Sequence, residues 1–119
     1  MLRITAGAAM LVLALVLAFP ALASSPPVGP LPPGPVTSIS TTKGTLVSVA
    51  LPSRAGKSWR LARFVSPKIL VEVSEANVGA SVVIVYRAVG RGNVSVRYGL
   101  TRGETRKAYA SATFKVHVT

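Results

Sequence analysis

Side chains able to exchange a proton near neutrality are scarce in this chain. His117 is the only histidine, Glu72, Glu75 and Glu104 are the only acids, and cysteine and aspartate are absent. A disulfide framework and a thiolate nucleophile are therefore excluded, as are a zinc cluster and a hydrolytic triad built on Asp. A Ser-His-Glu arrangement would have to use His117, which falls at an outward position of a C-terminal strand pattern. A solvated strand residue is the simpler account of it. Glu72 and Glu75 could mimic a carboxylate pair near a strand end, or could partly neutralise a basic neighbourhood. Gly90-Arg91-Gly92 lacks the helix that a phosphate-binding glycine loop requires. The expectation is a binding module and not an enzyme, with no cofactor and no metal site.

Positive charge is abundant. Fourteen Lys and Arg face three acids, a formal net charge of +11. Such a field favours anionic partners, whether wall polymers, lipid surfaces, nucleic acid or acidic proteins. Arg54, Lys57, Arg102, Arg106 and Lys107 fall in two segments distant in sequence, and their convergence would form an anion-facing patch.

Those segments need elements to position them. Leu46 to Leu51 reads as a strand that Pro52-Ser53 stops, since proline removes a ladder donor. Arg54 to Ser58 then makes a short basic loop, in which Gly56 can supply a positive φ. The chain re-enters an extended segment at Trp59. A Trp at a strand start either packs in the mouth of a core or faces a ligand.

The rest of the chain past Val36 alternates with period two. Val94, Val96, Tyr98 and Leu100 point one way, with Asn93, Ser95 and Arg97 opposite. Ala112, Phe114, Val116 and Val118 alternate likewise with Thr113, Lys115 and His117. Val82 to Tyr86 is apolar on both faces, as in a central strand covered on both sides. The glycine-rich turn Gly90 to Asn93 joins it to its partner. Val36 to Ser40, Trp59 to Phe64 and Ile69 to Val73 complete the set, with a turn at Lys43-Gly44. Seven short strands predict an all-β, immunoglobulin-like antiparallel β-sandwich, with a small barrel as the structural alternative.

Two segments precede this unit. Arg3 is followed by an uncharged run to Ala23, most apolar over Met10 to Phe19, and ends in Ala21-Leu22-Ala23. That is the layout of a secretory signal peptide over 1–23, cleaved before Ser24. An uncleaved anchor is the other reading of a run this long. Export to a periplasmic or extracellular space follows. Loss of Arg3 with the signal leaves thirteen cations against three acids, or +10. Residues 24–36 hold six prolines and two glycines, which predicts a semi-rigid spacer ahead of a folded unit over 37–119.

The run Gly44 to Ser53, with Gly56 and Trp59 beyond it, resembles the first binding loop of the chagasin-like inhibitors of papain-type cysteine proteases. In that family a strand ending in Leu-Pro-Ser leads into Asn-Pro-Thr-Thr-Gly and then a Trp. Val82 to Tyr98, with Ala88 and Gly90 at its turn, is similar to the family's central hairpin. Phe114-x-Val116-x-Val118 is similar to its final strand. The resemblance implies three loops at one end of the sandwich that enter and flank a protease cleft. By that resemblance the binding loops hold Arg54, Ala55, Gly56, Lys57 and Trp59, then Gly99, Leu100, Thr101 and Arg102. The chain departs from the family motifs in each loop. Only Arg54-Ala55 separates Ser53 from Gly56, the middle loop over Glu75 to Gly79 has one glycine, and Arg-Pro-Trp is missing after Tyr98. A shorter wedge reaches less far, and an absent aromatic anchor removes a typical hot spot.

The resulting expectation is an exported monomer that binds a protein partner, a papain-type cysteine protease, non-covalently through its end loops. The rival is an envelope or extracellular adhesion module held to an anionic surface by its charge. Nucleic acid ranks below both, because export argues against it and the aromatic residues form no evident stacking platform.

Overall fold

The computed structural model describes residues 27–119. The expected signal peptide, its cleavage point and the start of the Pro-rich segment lie outside the described residues. Seven strands follow in order: β1 (Val36–Thr41), β2 (Leu46–Pro52), β3 (Ser58–Leu61), β4 (Leu70–Val78), β5 (Ser81–Ala88), β6 (Gly92–Thr101) and β7 (Ala110–Val118). They form two sheets, β1-β7-β6-β3 and β2-β5-β4. The fold is an all-β, immunoglobulin-like sandwich. Its pairings are antiparallel except that β1 runs parallel to β7.

Alternation in sequence becomes alternation of burial. Val47, Val49 and Leu51 of β2 are buried while Leu46, Ser48 and Ala50 are exposed. Val96 and Tyr98 of β6 meet Ala112, Phe114, Val116 and Val118 of β7 in the core, beneath Ile84 and Tyr86 of β5, and Leu100 is buried further along β6. Each large apolar side chain so buried contributes about 1.5–3 kcal/mol. The rings of Tyr98 and Phe114 meet edge to face, with centroids 6.2 Å apart. At the centre of this packing the hydroxyls of Tyr86 and Tyr98 lie 2.6 Å apart, so each burial-disfavoured oxygen has a partner. Burial pushes both phenols above their ordinary pKa.

Three expectations about elements are revised. Val83 and Val85 of β5 are only half-buried, so this strand is central to its sheet but covered on one face. The strand expected from Trp59 to Phe64 ends at Leu61, because the chain must cross to the other sheet before Leu70, and Phe64 is left exposed. β4 runs on past Val73 to Val78, paired to β5 across a bulge at Val73. Residues three apart on a regular strand face opposite ways. The extra residue puts Glu72 opposite Tyr86 and Glu75 opposite Ile84, so both carboxylates lie on the inward side at the open edge of the sandwich. Partial desolvation, then the neighbouring Glu75, raises the Glu72 pKa.

The described part of the Pro-rich segment is docked on the domain rather than standing off it as a spacer. Thr113 N donates to Pro35 O, Ser111 Oγ to Pro32 O, and Gly29 N to Arg106 O. Val28 and Leu31 fill the space above Gly99 on the outer face of β6. A Cβ at Gly99 would lie 2.7 Å from Val28 Cγ1 and 3.0 Å from Leu31 Cδ2. Proline forbids a central strand, yet a proline-rich chain can lie across a sheet face where glycine leaves room.

Candidate functional site

β2, β4 and β6 all run toward one pole, so the turns that follow them meet there. Pro52 pairs with Ser81 and Ser58 with Thr101, which brings the ends of both sheets level. Ser53 N donates to Ala80 O at 2.8 Å, tying the β2–β3 loop to the β4–β5 turn. Two segments far apart in sequence, 53–57 and 102–109, thus lie side by side.

The β2–β3 loop is a tight turn closed by Lys57 N donating to Arg54 O at 3.1 Å. Gly56 sits at the third turn position with φ of 74°, the left-handed value that a type II turn needs there. Trp59 faces inward, half-buried against the core, and its indole N–H donates to Pro52 O at 2.8 Å. It acts as a staple across the base of the loop, which matches the core-mouth alternative.

The β4–β5 connection is a two-residue turn at Gly79-Ala80. The middle loop expected from Glu75 is therefore strand through Val78, and it projects little. The third loop begins later than expected. Gly99, Leu100 and Thr101 belong to β6 and are buried, because pairing with β3 and β7 continues through them. They cannot contact a partner. Arg102 is the first loop residue, and the loop runs to Tyr109.

This β6–β7 loop is fixed from several sides. Thr105 N and its hydroxyl both donate to Arg102 O, and Thr101 Oγ1 donates to Gly103 O. Arg60 on β3 donates from a guanidinium nitrogen to Thr105 O at 2.7 Å. Tyr109 N donates to Leu100 O at 2.7 Å. Those bonds hold an exposed loop in one shape without the proline that the family motif supplies.

Of the five expected patch residues, the structure gathers three around an aromatic ring that sequence reasoning passed over. Lys57 Nζ, Arg102 Cζ and Lys107 Nζ lie 5.1, 5.7 and 4.9 Å from the centroid of Tyr109. The ring is 42% exposed. An exposed cation–π contact contributes about 0.5–1 kcal/mol. Three cations sharing one ring lie within about 11 Å of each other, a separation at which each pair repels by about 0.4 kcal/mol at the dielectric of water and about 1.5 kcal/mol at an effective dielectric near 20. These three cations outnumber Glu104 of the same loop and Glu75 of the adjoining cleft, so the pole keeps an excess of positive charge that an anionic group would meet. Arg54 stands to one side, lining a cleft of about 350 Å³ with Lys57, Trp59 and Glu75. Arg106 is turned toward Gly29, whose would-be Cβ lies 3.2 Å from Arg106 Cγ. Ala55 and Gly56 are exposed at the tip. The signal for Tyr109 was local: an aromatic residue just after Arg106 and Lys107.

His117 is exposed on β7, with Nδ1 2.5 Å from Asn93 Oδ1, at a distance from this pole set by the length of the strand. Among the described residues no group of three or more His, Cys, Asp or Glu could hold a metal ion, and no helix is long and apolar enough to cross a membrane.

No protein-family model matches the chain, and no curated protein matches it by sequence. A solved structure is similar in fold: the cysteine protease inhibitor EhICP2 from Entamoeba histolytica, with a TM-score of 0.56 and 12% sequence identity. The alignment covers 74% of this chain and 99% of that one. At this identity the likeness shows a shared fold alone.

Proposed function

We propose that this chain is an exported binding module that inhibits a papain-type cysteine protease non-covalently, by seating its loop-bearing pole in the enzyme's cleft. The observation that carries the reading is the meeting of the β2–β3, β4–β5 and β6–β7 turns at one end of a fold similar to that of a cysteine protease inhibitor. With Gly99, Leu100 and Thr101 buried, contact falls to Arg54 to Lys57 and Arg102 to Tyr109. The fixed shape of both loops lowers the ordering cost of binding. No bond is made or broken; exclusion of substrate is the whole mechanism. Titration of the purified protein against papain tests it. Reversible inhibition competitive with substrate is expected, and no inhibition at high micromolar concentration retires the reading.

A second reading draws on the same cations. Charge convergence at the pole would also suit an adhesion module on an anionic wall or membrane surface. Such binding collapses as ionic strength rises, and wall-polymer binding indifferent to salt counts against it.

A further inference from the structure

We propose that Tyr109, with Lys57, Arg102 and Lys107 around it, forms a recognition site for a carboxylate-rich protein surface. The inference deepens the inhibitor reading, on which it rests for placing that surface beside a protease cleft. Three cations converge on one ring at 4.9–5.7 Å. They come from two loops, Lys57 from one and Arg102 and Lys107 from the other, so the site exists only because the fold brings these loops together. The partly exposed ring offers a flat apolar contact at the centre of the charge, the combination of Tyr and Arg that dominates protein interfaces. An extended phosphate or sulfate polymer is gathered by a stripe of cations following its backbone. Here the charge is focused at a projecting end, a shape that fits a concave acidic partner. The cations of the other pole, Lys43, Lys68 and Arg91, sit on three different connections between strands, and among the described residues none of them lies over an aromatic ring.

That contrast supplies the control. The single tryptophan, Trp59, stands two residues from Lys57 and reports on the pole by its fluorescence. Hexaglutamate peptide, inorganic polyphosphate and phosphatidylglycerol vesicles serve as probes. The triple variant Lys57→Gln, Arg102→Gln, Lys107→Gln is expected to bind hexaglutamate at least tenfold more weakly than the parent. The variant Lys43→Gln, Lys68→Gln, Arg91→Gln, equal in net charge, should change binding less than twofold. Equal losses in the two variants would reduce the effect to net charge and overturn the site. Binding of polyphosphate or vesicles at the pole without hexaglutamate binding would also overturn it. Papain inhibition measured in parallel separates the two proposals. Pole-specific hexaglutamate binding without inhibition supports the site and sinks the inhibitor reading, whereas inhibition untouched by the first variant does the reverse.

Discussion

Tyr86 and Tyr98 show how much one pair of atoms can decide. Their rings are core residues and their hydroxyls satisfy each other at 2.6 Å. Tyr86→Phe strands the Tyr98 hydroxyl in the interior, a loss of about 1–3 kcal/mol. Tyr98→Phe acts in the same way. The double variant removes both oxygens and is expected to lose less than the two single losses added together. Urea unfolding of the four proteins checks this, and strict additivity would show that the hydroxyls do not depend on each other. Tyr98 was legible in the sequence as an inward residue, since it continues the Val94, Val96, Leu100 series. Its partner across the sheets was not, because period-two patterns give the facing of a side chain and not what stands opposite. Tyr109 escaped in part for a related reason: Lys57, one of the three cations over its ring, comes from a loop some fifty residues away.

At the scale of elements, all seven strands could be read from apolar alternation and turn residues, and the Gly56 turn from its chemistry. What could not be read was imposed by pairing. Ser74 to Asn77 is exposed and, apart from Ala76, polar, yet hydrogen bonding to β5 holds it in a strand. The bulge at Val73 leaves no trace in composition. The docked proline-rich segment is the clearest case, because its contact depends on the bare backbone of Gly99 in a strand that otherwise reads as ordinary. Gly99→Val tests that contact. Its side chain would collide with Val28 and Leu31, and it is expected to cost about 1–3 kcal/mol despite the better strand propensity of valine. Thermal unfolding and limited proteolysis near Pro30 to Pro33 measure it. A variant as stable as the parent, with an uncut segment, would show that the docking contributes nothing.

For the whole molecule, sandwich class followed from the number and spacing of strands, and the pole from their order. The chain alternates direction, so every second connection reaches the same end whatever the loops contain. That is why the meeting of the two basic loops could be anticipated while their working residues could not. Loop boundaries are set by how far pairing persists, and pairing persists through Gly99 to Thr101. The most direct measurement compares binding of the protein to free papain and to papain whose active-site cysteine has been capped with a bulky peptidyl inhibitor. Binding to the free enzyme and exclusion from the capped one is the predicted result. Equal binding to both, or binding to neither, would contradict a cleft-seated pole.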